Sequence, residues 1–416
     1  MNDDRKTVCL ITSGHLTSTP RLLKEADALH AAGYRVHVIY SSYFAPHVPL
    51  DERIARAAGW ESTAVPAFGG PAGFVRKLRR KLAQKLVLSS AFASPELAAW
   101  AHHSETMRLA AAAARIDAHY YIGHCLGALP AAALAAERTH AKFGFDIEDF
   151  HDAETHFAAT DPVQRRAARI VQGTYLPRAS HLTAASPLIA AQYQQHYGVA
   201  AVPVLNVFPL VDAPAAPVEP VPICAERPAR LYWFSQTVGP QRGLEAVVEI
   251  MARMTTPVEL HLRGHLAPGF DAELQARHAR AGGRGRIVYL PFADTAEMVR
   301  LAAAADLGLS TEQREPFNRD ICLTNKVFVY LLAGLPQLMT NTQAQSALAT
   351  ELGDAAVVTD FADAVALARQ LDDYFAQPER IAAARSAAWR LGQARFNWDV
   401  EQKVFLRAVK KAVGNP

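Results

Sequence analysis

Short apolar runs alternate with segments of helical periodicity along most of the chain. The run Thr7–Thr12 predicts a strand. The segment after it begins with Thr19 and Pro20, carries apolar residues on one helical face and ends at Gly33, which are the start and stop signals of a helix. A second apolar run, Val36–Tyr40, predicts the next strand. A strand, helix and strand in this order imply parallel pairing through a right-handed crossover.

The same alternation recurs later in the chain and starts again after residue 228. It predicts strands at 119–123, 142–147, 230–234, 258–263, 286–290, 307–310, 337–340 and 355–359, with helices between them. The proline-rich segment 211–228 cannot continue a helix or a central strand, so we predict an extended linker there.

These patterns predict an α/β protein made of two Rossmann-like, doubly wound domains that face a central cleft. Residues 1–210 are the predicted first domain, 211–228 the hinge-like linker and 229–396 the second domain. The final stretch, 397–413, is amphipathic and predicts a helix that closes over the first domain.

Composition and missing motifs narrow the function classes. The 416 residues carry a net charge of only +3, so no nucleic-acid partner is expected. Four widely spaced cysteines and a polar N-terminus without a signal-like apolar run suggest a cytoplasmic protein with free thiols. The signatures of dehydrogenases, P-loop enzymes, zincins and α/β-hydrolases are absent. Asp-x-Asp, the usual motif that holds a divalent ion against a nucleotide diphosphate, is absent too. We therefore expect no cofactor and no metal, and we expect basic groups to neutralise any bound diphosphate.

Two loops after predicted strands of the second domain carry candidate anion-binding groups. The loop 235–243 delivers Arg242 to the start of a helix, where a guanidinium and the helix N-terminus together favour a phosphate. The loop 312–326 ends in Lys326 at the start of an apolar helix, where a cation opposes the helix dipole and a bound anion would compensate. The alternatives are a solvated arginine and an ordinary first-turn lysine.

A third loop, in the first domain, concentrates acidic residues directly after a strand. The segment 145–154 contains Glu148, Asp149 and His151 among five carboxylates and one histidine. Like charges at such close spacing shift pKa values, so an acid, a base or a sugar-hydroxyl acceptor is expected here. The alternative is that these carboxylates cap the next helix.

These segments resemble retaining glycosyltransferases of the GT-B fold, of the family-four type. The region from Ile11 to Glu25 is similar to the family's opening strand, glycine loop and helix, and Asn206-Val207 is similar to its interdomain crossing. The most specific likeness is to the block Asn-Lys-x-Phe-Glu-Tyr-Leu-x-x-Gly-x-Pro, which Asn325-Lys326 and Tyr330–Pro336 resemble.

The resemblance implies a nucleotide-sugar-dependent hexosyltransferase that moves a sugar, with retention, from a nucleoside diphosphate to a glycan or lipid-linked acceptor in cell-surface polysaccharide synthesis. With the loops above, it assigns catalysis to Glu148, Asp149 and His151, and the donor diphosphate to Gly14, Gln236, Arg242 and Lys326. Donor sugar and nucleoside are assigned to Glu312, Asp320, Asn325 and Phe292, and the acceptor side to His15 and Arg21.

The chain departs from the family pattern at four positions. Ile321 stands where another glutamate is expected, eight residues before Val329, and Glu148 stands where many members carry a histidine. Val329 stands where the family usually has a glutamate for the donor ribose, and Gln236 stands where an arginine is usual. Two alternatives therefore stay open, namely a nucleotide-sugar epimerase of the same fold and a catalytically inactive nucleotide-sugar-binding subunit.

The segment 73–88 is strongly basic. Leu78, Leu82 and Leu86 recur every four residues, and six cations occupy other positions. This pattern is typical of an interfacial helix, and it predicts contact of residues 74–88 with an anionic membrane surface and a peripheral location on the inner face of the plasma membrane. The alternative is a surface helix whose leucines face the core.

Overall fold

The structure, a computed structural model, describes residues 5–67, 71–89, 94–154 and 161–416. The chain divides into two compact units. Unit 1 contains residues up to Val204 together with Gln402–Pro416, and unit 2 contains Leu205–Glu401.

Unit 1 is built on a seven-stranded parallel sheet with the order β3-β2-β1-β4-β5-β6-β7. Its strands are β1 Thr7–Thr12, β2 Arg35–Ser42, β3 Glu61–Pro66, β4 Tyr120–His124, β5 Lys142–Ile147, β6 His181–Ala184 and β7 Val202–Pro203. Its helices are α1 Pro20–Ala31, α2 Val48–Ala57, α3 Pro71–Leu86, α4 Pro95–His102, α5 Thr106–Ala114, α6 Leu129–Thr139, α7 Pro162–Tyr175 and α8 Pro187–Tyr197. The strands β1 and β4 are almost entirely buried because helices cover both faces of a parallel sheet.

Unit 2 has a six-stranded parallel sheet with the order β10-β9-β8-β11-β12-β13. Its strands are β8 Ala229–Val238, β9 Val258–Leu266, β10 Arg286–Leu290, β11 Leu307–Ser310, β12 Gln337–Thr340 and β13 Ala356–Thr359. Its helices are α9 Leu244–Met251, α10 Phe270–Arg280, α11 Met298–Ala303, α12 Phe317–Ile321, α13 Asn325–Leu332, α14 Gln343–Leu352, α15 Ala364–Phe375 and α16 Pro378–Ala394. In both sheets the strand order reverses next to the first strand of the unit, which is where α/β proteins bind ligands.

The proline-rich segment 211–228, predicted to be an extended linker, belongs to unit 2. Trp389 Nε1 donates a hydrogen bond of 2.9 Å to the Pro214 carbonyl. The Arg227 guanidinium pairs with both carboxylate oxygens of Asp306, at 2.5 and 2.8 Å. These partners fix both ends of the segment, and the division between the units falls earlier, between Val204 and Leu205.

The last helix, α17 Trp398–Val413, begins in unit 2, and its residues from Gln402 onward belong to unit 1. Lys6 Nζ donates to the Val413 carbonyl at 2.8 Å, and the Tyr34 hydroxyl donates to the Gly414 carbonyl at 2.7 Å. Both bonds satisfy carbonyls that the end of a helix leaves without intrahelical partners.

Across the described part of the chain, every helix is too short or too polar to cross a bilayer.

Candidate functional site

The loop that carries Arg242 lies against the end of β11 in unit 2. The Thr311 hydroxyl donates a 2.6 Å hydrogen bond to the Arg242 carbonyl. Gly243 has φ +76°, and a Cβ there would come within 2.6 Å of the Thr311 carbonyl oxygen. Only glycine combines this backbone conformation with such a close approach. The sequence Arg242-Gly243 thus holds the arginine beside the carboxyl end of β11.

Lys326, at the start of α13, is nearly buried. Its Nζ lies 2.6 Å from Glu312 Oε1 and 5.3 Å from the centre of the Trp233 ring. The sequence favoured a bound anion as the partner of this lysine, but the protein itself supplies a carboxylate. Glu312 was assigned to the donor sugar, and the structure shows that one of its oxygens is already committed to Lys326.

Glu312 is surrounded by more positive charge than it can neutralise. Burial alone would raise the pKa of its carboxyl, but Lys326, Arg319 and Arg242 together hold the pKa below its ordinary value. Burial lowers the pKa of the Arg242 guanidinium, and repulsion from Arg319 lowers it further. Three cations therefore act on one carboxylate, which leaves an excess of positive charge at the carboxyl ends of β8 and β11. Such an excess suits a dianionic group.

The other site residues predicted in unit 2 differ in their exposure to solvent. Gln236 is exposed and follows an irregularity in the β8–β9 register, and Asn325 is half-buried in the first turn of α13. Phe292 is 46% exposed and stacks on His265 with ring centres 4.9 Å apart. Both rings can offer a flat surface to a nucleobase.

Asp320 is not available for donor-sugar contact. Its two carboxylate oxygens accept hydrogen bonds from the backbone and side-chain nitrogens of Gln343, at 2.9 and 2.6 Å. The carboxylate thus holds the first turn of α14, and we correct its assignment to a structural one. Val329, at the position of the family's ribose-binding glutamate, is fully buried in the core of unit 2.

Unit 1 contains a cavity of about 360 Å³ beside the carboxyl ends of β4 and β5. Glu148, Asp149 and His151, the predicted catalytic residues, all line this cavity. The other lining residues are Ser13, Arg80, His102, His103, Cys125, Leu126, Gly127, Glu154, Gln164 and Ala168. The structure therefore brings the acidic loop to a single cavity.

The titratable groups of this cavity have shifted proton affinities. Burial, with the nearby charges of Asp149 and Asp146, raises the pKa of Glu148 to about 7. Burial alone would lower the pKa of His151, but the 2.9 Å hydrogen bond of its Nδ1 with Glu154 and the negative charges of Glu154, Asp149 and Glu148 together raise it. Glu148 therefore changes charge near neutral pH, as a general base for a hydroxyl group should.

Gly14 and His15 are occupied by contacts within unit 1. The Gly14 amide donates to Thr12 Oγ1 at 3.0 Å. His15 is fully buried, with Nδ1 2.5 Å from Asp51 Oδ2, while Nε2 accepts hydrogen bonds from the amides of Tyr43 and Phe44. Both ring nitrogens of His15 are satisfied, so we correct its acceptor assignment. The histidine fixes the loop after β1.

Arg21 is also structural, in contrast to its predicted place on the acceptor side. It is 1% exposed, and its guanidinium donates to both carboxylate oxygens of Asp146, at 2.6 and 2.8 Å, and to the Val204 carbonyl, at 2.7 Å. The Thr183 hydroxyl donates to the same carboxylate at 2.5 Å. This network ties α1 to the ends of β5 and β6, directly below Glu148.

Glu25, His124 and Asp146 form the one group of possible metal-ligating residues within the described ranges. Their candidate atoms lie within 4.8 Å of one another. Arg21 already bonds Asp146 and lies 3.7 Å from Glu25 Oε1, so it balances one of the two carboxylate charges. Burial alone would lower the pKa of His124, but Glu25 and Asp146 together raise it, so the imidazole is the second positive partner. We interpret the group as a buried ion-pair network.

Helix α3 exposes two of its three leucines to solvent, whereas Leu86 is half-buried. Leu78 and Leu82 are 58% and 56% exposed, and Phe74, one turn before them, is 70% exposed. The inward face carries Ala83 and Val87 instead, which are buried. The alternative of core-facing leucines is therefore wrong for Leu78 and Leu82.

No family model matches the chain, and no curated protein sequence matches it. Comparison with solved structures is informative about the fold. The chain is similar to Anabaena HepE, which has been determined in several complexes. The structure with UDP and glucose has 17% identity and a TM-score of 0.65, and the comparison covers 98% of this chain and 100% of that one. The complex with UDP-glucose itself gives 16% identity, 97% and 99% coverage and a TM-score of 0.68.

Sucrose-phosphate synthase from Thermosynechococcus elongatus is similar at 15% identity over 98% of this chain and 99% of that one, with a TM-score of 0.68. The lipopolysaccharide galactosyltransferase WaaB is similar at 11% identity, with 97% and 99% covered and a TM-score of 0.60. The chain has the GT-B glycosyltransferase fold. The sequence prediction of this fold is confirmed.

Within this GT-B architecture, four functional candidates lay outside the sequence-based assignment. Arg319 joins Arg242 and Lys326 at Glu312, and Arg80, His102 and His103 line the cavity of unit 1. Arg319 stands in the charged loop 312–326, so its charge was a usable signal. The three cavity residues lie on α3 and at the end of α4. No local sequence pattern predicts that these helices pack beside the acidic loop.

Proposed function

We propose that this chain is a nucleotide-sugar glycosyltransferase in which unit 2 binds the donor diphosphate and unit 1 binds the acceptor. The observation that carries the proposal is the excess of positive charge at the carboxyl ends of β8 and β11. Arg242, Arg319 and Lys326 act there on a single buried carboxylate. Similar structures determined with UDP and UDP-glucose support a nucleotide-sugar donor.

In the proposed reaction, the bond between the anomeric carbon and the diphosphate oxygen breaks, and a new bond forms to the acceptor hydroxyl oxygen. The cations of unit 2 stabilise the negative charge that builds up on the leaving diphosphate. The acceptor proton leaves with the cavity carboxylate Glu148 or with the diphosphate, and Asp149 and His151 orient the reacting groups. Because side chains supply the charge, we propose that transfer needs no metal ion.

We further propose a hexosyl donor, retention of the anomeric configuration, and a glycan or lipid-linked acceptor in cell-surface polysaccharide synthesis. Retention is supported by the resemblance of the block around Lys326 to retaining enzymes. It is measured from the anomeric proton coupling of the product, and an inverted product would contradict it.

We propose that α3 holds the enzyme on the cytoplasmic face of an anionic membrane. Phe74, Leu78 and Leu82 form an exposed apolar stripe at a spacing of four residues. Lys77, Lys81 and Lys85 run beside them at the same spacing and are exposed. Charge complementarity therefore favours an anionic lipid surface over an apolar protein partner.

The test of the proposed function uses UDP-glucose as the first donor, in the presence of chelator. We expect UDP-glucose and UDP to raise the melting temperature of the wild-type protein, and we expect this shift to be lost in Arg242→Gln. UDP-glucose incubated alone should be hydrolysed slowly and yield free glucose. An isomerised nucleotide sugar would instead identify an epimerase. Binding of UDP-glucose without hydrolysis or transfer would identify an inactive nucleotide-sugar-binding subunit, and absence of binding for UDP and every other nucleoside diphosphate would contradict the donor site.

A further inference from the structure

The cavity of unit 1 has two chemically different walls. The loop after β5 contributes Glu148 and Asp149. The other wall is formed by α3 and the end of α4, which contribute Arg80, His102 and His103. The charges of Arg80 and both histidines influence one another, which shows that they are close together.

The wall formed by Arg80, His102 and His103 has unused hydrogen-bonding capacity. Burial lowers the pKa of His102 to about 3 and that of His103 to about 4, so both imidazoles are neutral at pH 7 and each can donate one N–H. Arg80 Nε donates to the Ala101 carbonyl at 3.3 Å, and among the described residues no carboxylate lies within ion-pair distance of its guanidinium. His102 Nδ1 is buried without a hydrogen-bond partner in the described part of the chain. Arg76, one turn before Arg80 on α3, differs from Arg80 because its guanidinium pairs with the Glu105 carboxylate at 2.9 Å. One arginine of α3 is thus neutralised within unit 1, whereas the arginine that lines the cavity is not.

The acidic side also has an open position. His151 is 7% exposed, and its Nδ1 is bonded to Glu154, but its Nε2 is buried without a partner among the described residues. His102 and His151 line the same cavity, and the charges of His151 and Glu154 act on the pKa of His102. Buried imidazole nitrogens without partners are costly, and a bound ligand would satisfy them.

We propose that this cavity binds a sugar phosphate as acceptor, with the reacting hydroxyl at Glu148 and His151 and the phosphate at Arg80, His102 and His103. A guanidinium with two imidazole N–H groups is a typical phosphate site, while a carboxylate beside an imidazole suits a hydroxyl. The inference rests on the proposed function, because it names the acceptor class of that reaction.

The position of Arg80 on α3 favours a lipid-linked sugar phosphate over a free one. The same helix presents Phe74, Leu78 and Leu82 to solvent on its other face. A lipid phosphate held at Arg80 is therefore within about one helix diameter, roughly 10 Å, of the proposed membrane surface. An acceptor anchored in that surface would reach the cavity without leaving the membrane.

The first experiment separates phosphate recognition from general charge. Glucose 1-phosphate and methyl glucoside are titrated into the protein, and the imidazole signals of His102 and His103 are followed by NMR, with assignment by His102→Gln and His103→Gln. We expect the sugar phosphate to shift these signals at concentrations about tenfold lower than the neutral glucoside. Arg80→Gln should abolish this difference, and Arg79→Gln, an equal loss of charge on the exposed side of α3, should not.

Equal effects of the two sugars, or equal losses in Arg80→Gln and Arg79→Gln, would overturn the proposal. UDP binding to unit 2 is measured in the same samples. If UDP binds and the histidine signals ignore the sugar phosphate, this inference fails and the proposed function stands. If neither UDP nor any other nucleoside diphosphate binds, the proposed function itself fails.

The second experiment distinguishes the two sources of the phosphate. Farnesyl phosphoglucose is presented in phosphatidylglycerol vesicles and compared with glucose 1-phosphate in solution. In wild type, we expect the half-saturating concentration to be at least about tenfold lower for the lipid form, and we expect Leu78→Asp to lose this difference. This result would support the lipid-linked acceptor. Equal half-saturation would overturn the lipid assignment.

Discussion

Lys326 Nζ lies 2.6 Å from Glu312 Oε1, and both side chains are buried at the carboxyl end of the unit 2 sheet. The lysine thus has a protein partner as well as a proposed ligand. Breaking such a pair costs stability, whereas losing a diphosphate contact costs affinity. The two effects are separable by mutation.

We expect Lys326→Gln to lower the free energy of unfolding by about 1–3 kcal/mol, because it removes the nearest partner of a buried carboxylate. The double variant Lys326→Gln, Glu312→Gln should recover most of this loss. UDP affinity should fall about tenfold in both variants, since the double variant still lacks the ammonium group. Denaturant unfolding and calorimetry measure the two quantities. Recovery of UDP affinity in the double variant would remove Lys326 from the donor site.

Arg319 offers a second test of the same site. Arg319→Gln should weaken UDP binding about fivefold to tenfold, because it removes one of three cations around Glu312. The matched control is Arg314→Gln, five residues away, where the arginine is exposed and donates to the Asn341 carbonyl. Calorimetry at low and high salt measures both affinities. Equal losses in the two variants would point to a diffuse charge effect instead of a site.

Glu148 predicts a pH dependence of transfer. Its pKa is raised to about 7 by burial and by the charges of Asp149 and Asp146, so the basic carboxylate form accumulates as the pH rises through neutrality. The transfer rate should rise between about pH 6 and pH 8 and then level off. Glu148→Gln should abolish most of the activity and flatten the profile. A wild-type rate that is constant over this range would exclude Glu148 as the base.

The same shift has a stability consequence of defined sign. A carboxyl whose pKa is higher in the folded than in the unfolded chain binds more protons when folded. Its contribution to stability is therefore complete below the unfolded pKa and is lost as the pH rises through about 7. As the pH rises from the unfolded pKa of a glutamate to about 7, the free energy of unfolding of wild type should decline relative to that of Glu148→Gln.

The sequence predicted the fold well because both sheets follow a regular alternation of strands and helices. The strands at 142–147, 286–290, 307–310 and 337–340 have the predicted bounds. Strands β3, β6 and β7 were missed. Strands β3 and β7, Glu61–Pro66 and Val202–Pro203, are mostly exposed and carry little apolar signal. Strand β6, His181–Ala184, is buried, but it has only four residues and two of them are polar. Long apolar strands can be predicted from composition, whereas short or exposed strands cannot.

The grouping of candidate site residues was predictable where one loop concentrates charge. It was not predictable where a charged side chain pairs with a residue far away in the sequence. The loop after β5 lines a cavity as a group, and Arg242 and Lys326 act on one carboxylate. Arg21 and His15 also stand near the end of β1, yet their partners Asp146 and Asp51 lie 125 and 36 residues away. Without those partners, a buried structural arginine has the same sequence signature as a ligand-binding one.

The structural role of Arg21 is itself testable. Arg21→Met should lower the free energy of unfolding by about 3–5 kcal/mol, because it leaves the Asp146 carboxylate buried without its bidentate partner. Arg35→Met is the matched control, since Arg35 is about half exposed and pairs with the exposed Glu61, a pair worth less than about 1 kcal/mol. UDP affinity should be unchanged in any Arg21 variant that remains folded. A small loss of stability would contradict the structural assignment.

The membrane proposal for α3 depends on apolar and basic residues acting together. Wild type should float with phosphatidylglycerol vesicles and not with phosphatidylcholine vesicles, because three exposed lysines each add about 1 kcal/mol of attraction to an anionic surface. Leu78→Asp and Leu82→Asp should each abolish flotation, since either puts a negative charge into the apolar stripe. Val211→Asp introduces the same charge at an 88% exposed apolar residue of unit 2 and should leave flotation intact. Lys77→Gln, Lys81→Gln and Lys85→Gln combined should make binding insensitive to salt and to lipid charge. Flotation that survives both aspartate variants would show that another surface holds the protein on the membrane.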